Sequence, residues 1–551
     1  MEVAQLSPLR ALAANPVLRR EAGALGLYRM AEFGPWVAML VYAYSEGGAT
    51  ATGVVSLALL IPTAIVAPFA GPLIDRFGAS HVLLGAYVAQ ALSMGATAAS
   101  LLAGAPPVVS YALGALTAMA LVVTHPAHAV VSPGIARTTE QLVALNAVTG
   151  WILSIGLVLA PACAGLILAV ATPGAVYAAG ATCVVVAALL VVPLRDLVRP
   201  LVRDEEASAA GAFRQLDEGA RALAQASAPR EVVVVLAATF LMVGAFDVLV
   251  VVLAVGSLGI GDSGAGYLTA AHGAGAVVGA VTSLALVGRS RIVPVMLGAA
   301  VLGAAAFIVL GFAITVGVAF AVAVVTGISR SLLEVSGQTL LQRVTSTEIL
   351  ARVFSFKEGL AMAAWGVGSV SVPIVIGIAG LKGALIFTGA IVPMVVLVRL
   401  RPLLAVDAAA VIPAVTIALL RSVGIFRALP VPALEGVAHG AIDVAVPAGG
   451  TVFRQGDVGD RYFAIADGSV EVVRNGIRVN TLERGDGFGE IALLHDVPRT
   501  ATVSAMTDGR LIAIERDAFL VALTGHAPTR ARAEKVAEER RPTTAQSLVD
   551  R

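Results

Sequence analysis

Residues Gly487–Val503 read GFGEIALLHDVPRTATV, and this stretch decides how the C-terminal part of the chain folds. Gly487 and Gly489 let the main chain approach another group without a Cβ in between. Residues Glu490–Leu494 are predicted to form a short helical turn, whose first N–H groups and positive dipole end attract an anion. Arg499 adds a cation for bidentate, charge-assisted contacts. The stretch therefore predicts a site for a phosphate-bearing ligand.

Short segments rich in β-branched and aromatic residues precede this stretch, separated by turn pairs such as Gly449-Gly450 and Asn475-Gly476. The predicted strands are Ile442–Val446, Thr451–Arg454, Arg461–Ala466 and Val470–Arg474. Regular strand spacing with glycine turns predicts a small antiparallel β-roll. A short helix over Asp517–Leu523 and a C-terminal helix over Arg530–Arg541 are expected to follow.

The pattern FGE…PRTA resembles the phosphate-binding cassette of cyclic nucleotide-binding domains, the family of the bacterial catabolite activator and of protein kinase A regulatory subunits. The resemblance assigns Glu490 to the ribose 2′-hydroxyl and Arg499 to the cyclic phosphate. The residues that it places at the nucleotide are Gly487, Phe488, Gly489, Glu490, Ile491, Ala492, Arg499, Thr500 and Ala501. A degenerate domain that binds nothing is the alternative, although such domains lose the acid or the arginine and both are present here.

The regulatory ligand that the resemblance implies is cyclic AMP, because bacterial members of the family bind it. Cyclic GMP stays open, since the hydroxyl of Thr500 could contact either the phosphate or a guanine amine. The predicted helix Arg530–Arg541 offers no aromatic ring to stack on the base. No metal is expected, because the chain shows no paired metal-ligand spacing.

The rest of the chain has the composition of a membrane protein. Of 551 residues, 58% are hydrophobic and 13% charged, whereas a soluble domain has roughly 25% charged residues. We therefore expect a lipid bilayer around most of the chain. A net charge of +1 offers no basic surface for nucleic acid. The absence of a P-loop or a nucleophile elbow argues against an enzyme.

Twelve apolar runs precede residue 402, each near the roughly 20 residues that a helix needs to cross a bilayer. They lie near 24–44, 51–71, 81–103, 107–124, 143–170, 173–194, 231–257, 264–286, 292–312, 315–336, 355–378 and 382–401. The polar break Pro193–Arg230 divides them six and six. The predicted fold is a polytopic α-helical membrane protein with 12 transmembrane helices in two six-helix bundles, followed by an α+β cyclic nucleotide-binding β-roll.

The predicted domain boundaries follow these changes in composition. They are a lead-in (1–22), a first bundle (23–194), a central loop (195–230), a second bundle (231–402), a helical linker (403–434), the nucleotide-binding domain with its C-terminal helix (435–541) and a tail (542–551). Cations concentrate in alternate loops, at Arg76, Arg137, Arg289, Arg291, Arg343 and Arg352. The positive-inside rule then places both termini and the nucleotide-binding domain in the cytoplasm, below an inner (plasma) membrane.

The segment GPLIDRFGASHV (71–82) resembles the loop between the second and third helices of the major facilitator superfamily, whose two parallel six-helix halves have the predicted architecture. In that family the loop is a gating latch. The resemblance gives Gly71 a close helix approach and gives Asp75 an ion pair across the cytoplasmic face. The latch residues are Gly71, Asp75, Arg76 and Gly78. A turn that only sets topology is the alternative.

Ionisable side chains at membrane depth cost about 3 kcal/mol and mark functional positions. The candidates for transport and coupling are Arg29, Glu32, Asp247, His272, Arg330 and Glu334. Glu32 and Asp247 fall at similar depths in the helices that head the two bundles, so we predict that they carry coupling protons. The spacing of Arg29 with Glu32, and of Arg330 with Glu334, also fits local pairs. His125 and His128 are expected near the loop end of the fourth helix.

The segment 156–165 resembles the Gly-Pro-Gly pattern of proton-coupled drug exporters. The segments 126–148 and 338–354 are similar to the exporter branch that includes macrolide and siderophore efflux proteins, and this similarity indicates a substrate class only. The predicted function is a secondary active, proton-coupled exporter of an unidentified small amphipathic molecule, regulated by cytosolic cyclic AMP. The alternative is a membrane receptor for cyclic nucleotides that carries no cargo.

Overall fold

A computed structural model describes residues 15–135, 139–194, 209–283, 291–345, 347–409, 414–429, 431–495 and 497–524. The predicted loop residues Arg137 and Arg289 and the predicted helix Arg530–Arg541 lie outside these ranges. The chain divides into two compact units, the first ending at Ala410 and the second beginning at Val411.

The first unit is entirely helical in its described part. Its α-helices are α1 (Pro16–Val66), α2 (Ala70–Phe77), α3 (Ala79–Leu102), α4 (Pro107–Ile135), α5 (Thr139–Leu168), α6 (Pro173–Val191), α7 (Ala209–Gln225), α8 (Ser227–Val251), α9 (Gly261–Ser283), α10 (Val293–Phe312), α11 (Val316–Val344), α12 (Thr347–Val398) and α13 (Leu400–Ala409). A π-helical turn, Val252–Ser257, continues α8.

Glycine breaks divide the two longest helices. Within α1, Gly48 has φ 61° and ψ −154° directly after the non-helical Gly47. Within α12, Gly380 has φ 70° and ψ 179°. A residue with a Cβ is strained at such a positive φ, so glycine permits the break in the helix at both positions. Each of these helices therefore consists of two helical segments.

Nine helices in the described ranges are long and apolar enough to cross a membrane, with α1 and α12 counted once each. This finding supports a polytopic helical membrane protein. Their outer faces carry exposed large apolar residues, such as Leu92, Leu166 and Ile378, which is the surface that lipid requires.

Small residues allow close packing at two pairs of helices that are distant in sequence. Ser56 of α1 and Ser369 of α12 share a hydrogen bond of 2.8 Å between their hydroxyl oxygens. In α5 and α9, a Cβ on Gly266 would lie 2.5 Å from the Cα of Gly165. Close backbone approach through small residues is the usual way that membrane helices pack.

The second unit contains two antiparallel four-stranded sheets and four α-helices in its described part. The helices are α14 (Ala414–Ser422), α15 (Val431–His439), α16 (Glu490–His495) and α17 (Arg516–Thr524). The strands are β1 (Ile442–Val446), β2 (Thr451–Phe453), β3 (Arg461–Asp467), β4 (Ser469–Arg474), β5 (Ile477–Glu483), β6 (Gly487–Phe488), β7 (Thr502–Ala505) and β8 (Gly509–Glu515). One sheet has the order β1-β8-β3-β6 and the other β2-β7-β4-β5. The four predicted strands and the predicted helix over Asp517–Leu523 are confirmed to within one residue at each end.

Two apolar clusters hold the second unit together. One lies inside the roll and includes Phe463 and Phe488, whose rings stack at 5.4 Å. The other packs the helices against the outside of β3, where the rings of Tyr462 and Phe519 stack at 4.7 Å and Phe426 meets Tyr462 edge-on. The helical entry to the roll is thus part of its core.

Candidate functional site

The turn between β6 and α16 is built around two glycines. A Cβ on Gly487 would overlap the hydroxyl of Tyr462. Gly489 has φ 99°, and a Cβ on it would lie only 2.7 Å from Nη1 of Arg499, which is too close. Both positions therefore require glycine. Helix α16 begins directly afterwards, at Glu490, so the residue that Arg499 contacts through its carbonyl, Gly489, immediately precedes the helix.

Arg499 is fixed in place before any ligand contact is considered. Nη1 donates to the carbonyl of Gly489 at 3.2 Å, and Nη2 donates to the carbonyl of Arg461 at 2.7 Å. Nη2 also lies 3.4 Å from a carboxylate oxygen of Asp460. The guanidinium stacks over the ring of Phe453 at 4.1 Å. These contacts hold the planar group in one orientation.

One donor of Arg499 is not used. Its Nε is buried and has no hydrogen-bond partner in the described part of the chain. Burial lowers the pKa of Arg499, and Asp460 opposes that shift, yet an arginine keeps its charge in a protein. A buried donor without a partner is costly. An anion that accepts from Nε would remove this cost.

Glu490 is the second buried ionisable group of the site, with 1% of its surface exposed. As the first residue of α16, it places its carboxylate at the positive end of the helix dipole, which stabilises a negative charge. The site therefore holds one buried anion and one buried cation on opposite ends of a ten-residue segment. Such a pair is suited to a ligand that presents both hydroxyl donors and a negative charge.

A cavity of about 290 Å³ opens against these residues. Eight of the nine predicted nucleotide residues line it: Phe488, Gly489, Glu490, Ile491, Ala492, Arg499, Thr500 and Ala501. Gly487 is the exception, because it faces Tyr462 instead of the cavity. The lining residues that sequence analysis missed are Phe453, Val472, Arg474, Val479, Asn480, Leu482 and Val503. They come from β2, β4, β5 and β7, and only sheet pairing brings these strands to the cassette.

In the first unit, called the membrane unit from here on, Asp247 of α8 forms hydrogen bonds to residues of two other helices. Its Oδ2 accepts hydrogen bonds from the indole Nε1 of Trp36 at 3.1 Å and of Trp365 at 3.0 Å. The two indole rings meet edge-on, with centroids 5.7 Å apart. Trp36 belongs to α1 and Trp365 to α12, so the carboxylate of α8 connects these two helices.

The local pairs expected for the other candidates are present. Arg29 pairs with Glu32 and also contacts Nδ1 of His125 at 3.0 Å. Nη2 of Arg330 lies 3.8 Å from Oε2 of Glu334, which makes these two residues an ion pair.

His272 is engaged elsewhere, with Nδ1 3.2 Å from the hydroxyl of Thr326 and its ring stacked on Phe246. No described hydrogen bond or ion pair joins the candidates Arg29, Glu32, His272, Arg330 or Glu334 to Asp247.

Both histidines of α4 correct the sequence interpretation, because they lie in the helix packing and not at a loop. His125 contacts Arg29, and His128 is 3% exposed. His128 lies 2.7 Å from Glu21 and 2.5 Å from the hydroxyl of Tyr87. Glu21 was missed because it directly follows the arginines of the predicted lead-in, yet it is fully buried within α1.

The predicted latch has the expected turn but not the expected contacts. Gly78 has φ 81° and separates α2 from α3. A Cβ on Gly71 would meet nothing within 4 Å, so the close approach expected there is absent. Asp75 is exposed and forms no ion pair with any residue that the structure describes, and Arg76 lies over the neighbouring ring of Phe77 at 5.2 Å.

Comparison with known proteins gives two family matches. The model of the Major Facilitator Superfamily matches residues 22–356. The model of the cyclic nucleotide-binding domain matches residues 443–526. The first match covers more than half of the chain, and the second covers the β-roll together with the cavity.

Individual relatives match the C-terminal part. The cAMP-dependent protein kinase regulatory subunit of Schizosaccharomyces pombe is 41% identical over 102 residues, which is 18% of this chain and 25% of that protein. The type II regulatory subunit of Drosophila melanogaster is 37% identical over 99 residues, 18% of this chain and 26% of that protein. The matched segment thus spans about a quarter of these curated relatives. A structure of the regulatory domain of Toxoplasma gondii PKA with cAMP is 25% identical, covering 24% of this chain and 55% of that one, with a TM-score of 0.22.

Proposed function

This chain belongs to the Major Facilitator Superfamily and carries a cyclic nucleotide-binding domain, and we propose that it is a secondary active transporter whose activity a cytosolic cyclic nucleotide controls. The observation that carries the proposal is the buried Arg499, with one unused donor beside a nucleotide-sized cavity, in the same chain as a transporter fold. Such a site binds a ligand. Because it belongs to the same chain as a transporter fold, control of transport is the function that we propose for ligand binding.

The proposed membrane architecture is twelve spans in two bundles of six. Counting the two segments of α1 and of α12 separately raises the nine candidate helices to eleven, and α9, between Gly261 and Ser283, is the twelfth. We further propose the inner (plasma) membrane, with both termini and the nucleotide-binding domain cytoplasmic, on the distribution of arginines among the loops.

The proposed nucleotide contacts follow from the fit of the cavity residues to a cyclic phosphate on a ribose. Nε of Arg499 donates to the phosphate, and the first N–H groups of α16, at Ile491 and Ala492, point at the same charge. Glu490 accepts from the ribose 2′-hydroxyl, and Thr500 lies at the cavity edge for the phosphate or the base. The cavity volume lies close to the lower end of the range of small-molecule sites.

We propose cyclic AMP as the ligand, because the matched relatives are named as regulatory subunits of cAMP-dependent kinases. Cyclic GMP is the competing ligand, and titrations of the full-length protein with both nucleotides decide between them. Tighter binding of cyclic GMP would replace cyclic AMP in the proposal.

For the membrane unit we propose proton-coupled export of a small amphipathic molecule. Glu32 and Asp247 are the proposed proton carriers, while Arg29, His272, Arg330 and Glu334 form the polar surroundings of the pathway. The loop with Gly71, Asp75, Arg76 and Gly78 is the proposed gate. Because Asp75 and Arg76 are exposed, they are available for partners in another transport state.

Proteoliposomes with an imposed proton gradient test the proposal. The full-length protein is expected to transport Nile red, an uncharged amphipathic dye, or tetraphenylphosphonium, and saturating cyclic AMP on both sides is expected to change the rate at least twofold. Arg499→Ala should remove the nucleotide effect and keep the basal rate. Equal rates with bound nucleotide would overturn the regulatory claim. Nucleotide binding without proton-driven flux of any amphipathic compound would favour the membrane receptor.

A further inference from the structure

Asp247 differs from the other candidate acids in the partners that surround it. Glu32 is paired with Arg29, and Glu334 with Arg330. Asp247 instead accepts hydrogen bonds from two neutral indoles, and no cation forms an ion pair with it in the described part of the chain. Arg330 acts on Asp247 only through its more distant charge, so no described cation occupies a contact position at this carboxylate.

This carboxylate lies in an aromatic setting that remains accessible. Asp247, Trp36 and Trp365 are each only half-buried. The ring of Phe240 lies 6.4 Å from that of Trp365, which extends the aromatic wall beyond the two indoles. Both indole donors go to Oδ2. The second oxygen, Oδ1, accepts no hydrogen bond from any described residue and is left for a ligand.

Indole donors stabilise a carboxylate but do not neutralise it, and a carboxylate without a cation in contact is costly in a low-dielectric environment. A cation at Oδ1 would remove that cost. The neighbouring ring faces attract cations as well, most strongly when the cation is desolvated. A metal ion would need several oxygen ligands, whereas this site offers one carboxylate between aromatic rings. The chemistry matches an organic ammonium or phosphonium group.

We propose that Asp247, Trp36 and Trp365 bind the cationic group of the transported molecule, so that the cargo is an amphipathic organic cation. This inference rests on the proposed transport function and specifies its substrate class. Trp36 comes from the first bundle and the other two residues from the second. A cation bound at Oδ1 therefore occupies a point that both bundles share, where binding is able to influence their separation.

Intrinsic fluorescence offers a direct measurement, because two of the three tryptophans of the chain form the site. The third, Trp151, is 48% exposed on α5. The probes are tetraphenylphosphonium and tetraphenylborate, which have nearly the same shape and opposite charge. Purified full-length protein with the substitution Trp151→Phe is titrated with each probe. We expect saturable quenching by the cation and at least tenfold weaker binding of the anion.

Three variants separate the charge from the fold. Asp247→Asn keeps the size of the side chain and should weaken binding of the cation at least tenfold, while Asp247→Glu should restore part of it. Asp262→Asn, at the start of α9, removes a negative charge elsewhere and should leave binding unchanged. A single monodisperse peak of each purified variant in size-exclusion chromatography reports that the membrane unit is folded.

Unchanged cation binding by Asp247→Asn, or equal binding of both probes, would overturn the inference. Neither result depends on regulation by nucleotide. Conversely, a transport rate that does not change with cyclic AMP would contradict the proposed regulation but would not contradict the proposed cation site. Proton-driven flux of Nile red without binding of tetraphenylphosphonium would keep the transporter and reject its cationic substrate class.

Discussion

At the scale of single residues, Arg499 and Asp247 are two charged side chains whose described partners leave one polar atom of each unused. Arg499 is surrounded by two carbonyls, a carboxylate and an aromatic ring, so its position is fixed and one donor is left over. Asp247 has two donors on one oxygen and a second oxygen without a described partner. Each residue thus offers a ligand one unused hydrogen-bonding atom in a fixed position: a donor, Nε, on Arg499 and an acceptor, Oδ1, on Asp247.

Replacing Arg499 by alanine should weaken binding of cyclic AMP by roughly 2–5 kcal/mol, because a buried phosphate loses its charged partner. The corresponding dissociation constant rises at least about 30-fold. Calorimetry on the full-length protein measures this change. Arg478→Ala, an exposed arginine on β5 of the same roll, is the matched control. Wild-type affinity in Arg499→Ala would show that the phosphate is held elsewhere.

Gly489→Ala should weaken nucleotide binding because it combines backbone strain with displacement of the arginine. A Cβ there would lie 2.7 Å from Nη1 of Arg499, at φ 99°. Strain of this kind costs about 1–3 kcal/mol. Gly485→Ala is the control, since Gly485 also has a positive φ, 90°, but a Cβ there would approach Ser422 and not Arg499. We expect thermal stability to fall in both variants and nucleotide affinity to fall only in Gly489→Ala.

At the scale of elements, local patterns predicted the β-roll well. The predicted strands and α17 agree with the structure to within one residue because turn glycines and alternating apolar residues act locally. The partners of Asp247 could not be predicted in this way. Trp36 is 211 residues distant and Trp365 is 118 residues distant, and one sequence does not reveal which helix faces meet. For the same reason, the lining residues from β2, β4 and β5 were missed.

The pairing of α5 with α9 leads to a prediction about helix packing. A side chain on Gly266 would collide with the backbone of Gly165, so Gly266→Val should push α5 and α9 apart at this point. In proteoliposomes, this variant should no longer transport the probe that the wild-type protein carries, Nile red or tetraphenylphosphonium. Nucleotide binding, measured by calorimetry, should be unchanged. Gly298→Val on α10 is the control, because a Cβ at that position meets nothing within 4 Å. Full transport by Gly266→Val would argue against a functional role for this contact.

At the scale of the whole molecule, the chain combines a transporter of the Major Facilitator Superfamily with a cyclic nucleotide-binding domain. A ligand shifts a conformational equilibrium only by the difference between its affinities for the two states. Control of transport therefore requires that nucleotide affinity differ between transport conformations, and that transport conformation alter nucleotide affinity in return. A reporter of bundle separation tests this coupling without knowledge of the natural cargo.

The hydroxyls of Ser56 and Ser369 supply such a reporter, because they connect α1 with α12 at 2.8 Å. A variant with Ser56→Cys and Ser369→Cys, in a background with Cys163→Ala and Cys183→Ala, should form a disulfide under mild oxidation. The cross-link is expected to stop transport of the active probe by holding the bundles together. Reduction with dithiothreitol should restore it. Undiminished transport in the cross-linked protein would show that these helices need not separate.

The most direct test of cyclic-nucleotide control is the rate of this disulfide formation in the full-length protein, with and without saturating cyclic AMP. If nucleotide binding biases the transport conformations, the rate should change at least twofold, and Arg499→Ala should abolish the change. Identical rates, at a nucleotide concentration that calorimetry shows to be saturating, would contradict the account.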